Sequence, residues 1–331
     1  MNHAPVSVVL GVFDAAWCVE RALDSVLAQT LPPVEILVCD DGSTDGTPEL
    51  VERRYGDRVT VLRLEHRNSA EARRAGFARA RQPWLALLDA DDWWEPHKLE
   101  RQLDYAAAHP EVKWLCTDGA FVSANGVERE SWLADYFAPV RELHGDLFHA
   151  LLQRCFPLTS SMLVDHECYE AVGGMDGRLV YSHDYDLWLR LAARWPGAVL
   201  PERLVSYWTQ PGSLSRNFEG RNRDDLDILE RVARGELRSD PEVRRAAAER
   251  VAAKAFQIGL WCMRTRRPEE GRALLCRAAH AGPLPRRAVA LAGSLLPDAA
   301  VPAVMRLRLA RALVLSVRDD DAPPDLWKGA A

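Results

Sequence analysis

Short apolar runs alternate with helix-forming segments over residues 6–94, and this alternation restricts the fold more than any other feature of the chain. The runs are VSVVLGVF (Val6 to Phe13), VEILVCD (Val34 to Asp40), RVTVLRLE (Arg58 to Glu65) and WLALLD (Trp84 to Asp89). Between them lie WCVERALDSVLAQT, with Leu23, Val26 and Leu27 at helical spacing, then DGSTDGTPELVERR and SAEARRAGFARARQ. Thr47 is expected to cap the second helix with Pro48 at its first position. Short continuous apolar runs suit strands buried on both faces, and strands alternating with helices predict a parallel, doubly wound α/β sheet.

The pattern loosens afterwards. PHKLERQLDYAAAHP and SHDYDLWLRLAARW are expected as helices, VKWLCTD and AVLPERLVSYWTQ as strands, and Asn125-Gly126 as a hairpin turn. From about Leu226 the chain is almost wholly helix-forming. The expected division is a domain over 1–225, in halves 1–118 and 119–225, followed by a helical region over 226–331.

Parallel α/β sheets bind ligands at the carboxyl ends of their strands, and two acidic clusters fall there. Asp40-Asp41 follow the second run; Asp89, Asp91 and Asp92 follow the fourth, in LALLDADDWW. Two carboxylates about 5 Å apart repel by roughly 3 kcal/mol at an effective dielectric of 20. A hard divalent cation such as Mg²⁺ or Mn²⁺ relieves that repulsion and leaves positions open to phosphate oxygens. The alternative for DADD alone is a solvated turn that caps the next helix; for DGSTDG it is ordinary turn chemistry.

Taken together, VSVVLGVFDAAWCVERALDSVLAQT, VEILVCDDGSTDGT, ARRAGFARA and WLALLDADDWW resemble the nucleotide-binding half of family 2 glycosyltransferases with the GT-A fold. The likeness returns at GGMDGRLVYSHDYDLWLRLAARW and GSLS. It implies a Rossmann-like, mostly parallel sheet with an all-α C-terminal extension, and an inverting transfer from a nucleotide-sugar, foremost a UDP-sugar. By the same resemblance Val12, Phe13 and Asp14 line the base, and Asp40 and Asp41 match the element that binds the uracil edge. Arg73 sits beside the pyrophosphate. Asp89, Ala90 and Asp91 form the D-x-D element, with Asp91 as metal ligand and Asp89 at the ribose or behind the metal. Asp184 is the general base. The sequence also departs from the family pattern. Gly11 replaces a usual proline and loosens a turn, Asp14 and Arg74 each replace a common asparagine, and His183 replaces the glutamate before the base. Gln210 stands where a histidine often approaches the metal.

The remaining features narrow the setting. A net charge of −6 argues against a nucleic-acid binder working by bulk electrostatics. Seven scattered cysteines without a C-x-x-C pair favour reduced thiols in the cytoplasm. The N-terminus reads as a first strand, not a leader, and no run is long enough to span a membrane. Nine histidines form no H-x-x-x-H pair, so no zinc site is expected. Residues 255–297 suggest paired helices of tetratricopeptide type, with too few repeats for an array. PAVMRLRLARALVLSVR (302–318) is a basic amphipathic helix that either packs on its neighbours or lies on the inner membrane surface, as suits a lipid-linked or glycan acceptor. A homodimer stays open. Two rival functions are a sugar-1-phosphate nucleotidyltransferase, which wants a glycine- and basic-rich first loop where this chain has GVFDAAW, and a non-catalytic interaction protein built on a decayed transferase domain.

Overall fold

The computed structural model describes residues 3–209, 217–281 and 284–295, and its contacts divide the chain into two compact units, Met1–Pro211 and Gly212–Ala331. In the first unit each apolar run becomes a strand and each intervening segment a helix: β1 (Ala4–Val12), α1 (Val19–Leu27), β2 (Pro33–Asp40), α2 (Thr47–Tyr55), β3 (Thr60–Arg63), α3 (Ser69–Arg79) and β4 (Trp84–Asp89). There follow β5 (Trp93–Trp94), α4 (Lys98–Ala108), β6 (Trp114–Ser123), β7 (Gly126–Arg129), β8 (Leu143–Gly145), α5 (Phe148–Gln153), β9 (Leu163–Asp165), α6 (His166–Ala171), α7 (His183–Ala192) and β10 (Gly197–Trp208). All join one mixed sheet of order β3-β2-β1-β4-β9-β6-β10-β5, with β7 beside β6 and β8 beside β10.

The pairing is parallel from β3 through β4 and again between β6 and β10. The three-residue strand β9 runs antiparallel between β4 and β6 and joins the two halves of the sheet. Register then fixes the site. Val12 pairs with Asp40 and Gly11 with Asp89, so the acidic ends of β2 and β4 flank the end of β1. Apolar side chains drive this arrangement: Val6, Val8, Leu10 and Val12 pack with Val19, Ala22, Leu23 and Val26 of α1 in one buried cluster. The sequence reading needs one local correction. Gly46, at φ +85°, holds the cap position of α2, and Thr47 is its first residue. The Thr47 hydroxyl instead donates to Asp45 and accepts from the Ala15 amide, which fastens the β1–α1 loop to α2.

Helix α3 lies close over the sheet because Gly76 has no side chain. A Cβ there would stand 2.4 Å from Cys39 Sγ and 2.6 Å from a Val9 methyl. Alanine in an open helix is favoured over glycine by about 1 kcal/mol; here the clash outweighs that gain. Gly76→Ala is expected to lose about 1–3 kcal/mol of stability, read as a lower urea midpoint with unchanged slope. A gain in stability would show that α3 can lift off the sheet freely.

The second unit is helical, with α8 (Phe218–Ala233), α9 (Pro241–Arg264), α10 (Pro268–Ala278) and α11 (Leu284–Ser294). Its core gathers Leu226, Phe256, Ile258, Met263, Leu275 and Ala290. Lys254 is fully buried there and is held by Asp225 and Asn222, each at 2.9 Å. No helix among the described residues is long and apolar enough to cross a membrane. The 302–318 segment, Gln210 and GSLS lie outside the described residues.

Candidate functional site

The site is built from the ends of β1, β2 and β4 and the start of α7. At the end of β1, Val12 is in the core and offers only its carbonyl, which accepts the Asp41 amide at 2.9 Å. Phe13 is half exposed and stacks on His66, with centroids 4.4 Å apart and planes at 24°. Asp14 adopts φ 45°, a conformation costly for a non-glycine residue. It is held there by two bonds to the β2–α2 loop: its amide donates to Ser43 and its carboxylate accepts the Thr44 amide. These bonds shape a rigid rim from two strand ends.

Asp40 and Asp41 are both buried, with different environments. Asp41 has a partner on each oxygen: one accepts the Arg67 amide at 2.9 Å and the other faces His66 Nδ1 at 3.0 Å. Asp40 accepts the Ser43 amide through Oδ2 at 3.3 Å, while its buried Oδ1 has no partner. A buried acceptor left unpaired costs free energy, which sets Oδ1 apart from the other oxygens of Asp40 and Asp41.

Arg73 projects from α3 under the DADD turn and is buried. One terminal nitrogen pairs with Asp89 and the other lies 2.7 Å from His183 Nε2. A guanidinium can only donate, so Nε2 accepts and the neutral ring carries its proton on Nδ1. Burial, then the Arg73 charge, push the His183 imidazole down to about 3. Gly11 lies within β1, not in a turn, and a Cβ there would come within 3.2 Å of Arg73 Cγ, so the arginine stem packs closely over the strand.

A prediction follows from the neutral histidine. Between pH 6.5 and about 3 the unfolded chain takes up a proton that folded His183 refuses. Stability should therefore fall as pH drops below 6.5, with this residue contributing up to about 1.4 kcal/mol per pH unit. His183→Gln keeps an acceptor for Arg73 and should flatten that slope when urea unfolding is compared at pH 6.5 and 5. Equal slopes in the two proteins would show that the histidine is already charged when folded.

The aspartates after β4 divide. Asp92 is fully buried: it accepts Ser160 Oγ and, at 2.9 Å, the Trp208 amide, so it ties the turn to β10. Burial and the nearby Asp89 and Asp91 charges raise its carboxyl well above the usual range. Asp91 is half-buried, and burial followed by the Asp89 charge raises it to about 6. Asp89, also half-buried, donates its amide to Ser160 Oγ at 3.0 Å. Ala90 is partly buried against the core. Two crowded carboxylates, one charge-suppressed by its neighbour, fit a hard cation. The trio of DADD does not draw three ligand atoms together, so such a cation would take further oxygens from its substrate.

Asp184 lies in the first turn of α7, half-buried. Its Oδ2 accepts Thr159 Oγ1 at 3.0 Å and its Oδ1 the Tyr185 amide at 2.7 Å. Each oxygen keeps a lone pair. Ser182 occupies the cap position of α7 and makes no side-chain bond to the helix's first amides. Sequence reasoning missed Ser160, Thr159 and His66. None sits in a motif, and each acts across 25 or more residues on Asp92, Asp184 or Asp41. Trp94 and Trp188 are buried, and Trp94 Nε1 donates to the Ser160 carbonyl. Trp93 packs on Arg21, whose guanidinium also covers Trp208 and bonds the Asp91 carbonyl.

Residues 7–163 match the profile of glycosyl transferase family 2. The chain is 24% identical over 216 residues to the UDP-Glc:α-D-GlcNAc-diphosphoundecaprenol β-1,3-glucosyltransferase WfaP of Escherichia coli, covering 64% of this chain and 80% of that protein. It spans only 58%, 58% and 54% of the length of the uncharacterised glycosyltransferases of Rickettsia and Nostoc that it also matches. The crystal structure of Staphylococcus aureus TarS 1–349 with UDP superposes with a TM-score of 0.60 at 15% identity, over 96% of this chain and 88% of that one. The mannosyltransferase PcManGT of Pyrobaculum calidifontis, in complex with GDP-Man and Mn²⁺, gives 0.57 at 18% identity, over 100% and 89%. The fold is thus GT-A.

Proposed function

Residues 7–163 belong to glycosyl transferase family 2, and from that premise we propose that this protein moves a sugar from a nucleotide-sugar, foremost a UDP-sugar, to a hydroxyl of a glycan or lipid-linked acceptor, with inversion. The observation that carries the reading is the Arg73 bridge. One buried guanidinium joins Asp89 of the DADD turn to His183 of α7, and so ties the start of the helix that carries Asp184 to the end of β4.

Asp40 Oδ1, the oxygen of the Asp40-Asp41 pair that has no partner, accepts the N3–H of the base. Val12, Phe13 and Asp14 form the wall of that pocket, and Phe13 on His66 gives it a flat aromatic surface. Asp91 and Asp89 hold a divalent cation, which when bound offsets the charge of the leaving diphosphate. Arg73, its terminal nitrogens engaged, serves as a fixed positive charge near that group and as a brace. The acceptor oxygen attacks the anomeric carbon from the face opposite the diphosphate. The carbon–oxygen bond to phosphate breaks, its electron pair leaves with the nucleotide, and Asp184 takes the hydroxyl proton. The reaction belongs on the cytoplasmic side, with 302–318 as the membrane contact when the acceptor is lipid-linked.

Calorimetric titration of UDP into the protein with Mn²⁺, then with EDTA, and of GDP as a control tests this. Micromolar UDP binding lost in EDTA supports the reading. UDP binding unchanged by EDTA removes the metal from it, and preference for GDP replaces the donor class. Binding of neither nucleotide overturns the transferase function and leaves the interaction protein.

A further inference from the structure

The geometry points to a second metal site, for zinc or a similar borderline transition ion, formed by His109, Glu111 and His144 on the first unit. Among the described residues this trio brings its ligand atoms within 4.8 Å of one another. Glu111 Oε1 lies 2.9 Å from His144 Nε2 and 3.7 Å from His109 Nδ1. Zinc bonds of 2.0–2.1 Å at tetrahedral angles place neighbouring ligands about 3.3 Å apart, and the two separations from Glu111 bracket that value, so small side-chain rotations bring the three ligand atoms onto one ion.

The surroundings favour the same use. His144 Nδ1 is 3.2 Å from the Tyr105 hydroxyl, which also donates to Glu142, and this bond turns Nε2 toward Glu111. A ligating histidine ordinarily has its other ring nitrogen held by such a partner. The Tyr105 ring lies against His109 at a centroid distance of 4.4 Å, and the two imidazoles meet edge-on at 4.8 Å. The three side chains are 38%, 51% and 32% exposed, which leaves a fourth position to water. Two imidazoles and one carboxylate suit Zn²⁺, Ni²⁺ or Cu²⁺, whereas carboxylates alone suit Mg²⁺ or Mn²⁺. The trio is thus chemically separate from the DADD turn.

The ligands come from three places: the C-terminal cap of α4, the loop before β6, and β8, which pairs antiparallel with β10. A bound ion would cross-link them and fix β8 against the end of α4. Histidine spacing along the chain does not reveal this cluster, because His109 at the end of α4 and His144 in β8 meet only in the folded chain.

The whole chain is titrated with Zn²⁺ against a chromophoric chelator, in excess Mg²⁺ to occupy carboxylate-only sites. Expected are about one equivalent of tight binding and a higher Tm with zinc. Tyr105→Phe should weaken affinity about tenfold, and His109→Ala with His144→Ala should abolish both the binding and the Tm gain. Unchanged circular dichroism in the metal-free double variant establishes that it folds. Zinc uptake equal in the double variant and the parent, or no uptake in competition with the chelator, overturns the site.

Discussion

Asp184→Asn is expected to lower the transfer rate by about 100- to 10,000-fold, with UDP affinity unchanged. Asparagine keeps one oxygen to accept the Tyr185 amide, and its NH2 group, in place of the oxygen that accepted Thr159, can donate to the rotated Thr159 hydroxyl, so α7 should start as before. What it loses is the basicity needed to take a proton from the attacking hydroxyl. The effect should fall on kcat, measured by release of UDP in the presence of acceptor, and calorimetry of the same variant should return the parental Kd. Thr159→Val, which frees one oxygen of Asp184 without removing the base, should cost far less. Full activity in Asp184→Asn would move the base elsewhere.

Asp91→Ala should raise the Kd for UDP in Mn²⁺ by about 100-fold, equivalent to about 2.7 kcal/mol, and should make binding insensitive to EDTA. The neighbouring aspartate makes a demanding control. Asp92 is sealed between Ser160 and the Trp208 amide, so Asp92→Ala strands buried donors and should lower Tm before it alters nucleotide affinity. Two adjacent carboxylates of one short motif are thus expected to fail in different ways. If Asp91→Ala bound UDP like the parent with Mn²⁺ present, the cation would have to be held by other groups.

The parts of the fold visible in the sequence are those in which burial wrote a long signal. β1, β2 and β4 are apolar on both faces, and α1 shows its buried stripe in Val19, Ala22, Leu23 and Val26. Strand β9 was invisible because three residues carry no period, yet it joins the halves of the sheet. The site shows the same division. Asp40, Asp41, Asp89 and Asp91 stood out because an acid closing an apolar run contradicts its surroundings. Ser160 and Thr159 did not, since hydroxyls in a loop are ordinary until the fold brings Asp89, Asp92 and Asp184 to them. Gly11 was visible but misread as part of a turn: it lies within β1, under the stem of Arg73.

The Arg73–His183 contact spans 110 residues, and it has a consequence for recombination. His183 falls beyond the 7–163 region that defines the family. A chimera that joins this chain's first half to another transferase's second half would cut between the two partners. If the incoming half supplied a glutamate at the seam, Arg73 would meet a charge where it now meets a neutral ring, and its hold on Asp89 would be contested. Shuffled libraries should therefore recover active members chiefly when both positions descend from the same parent.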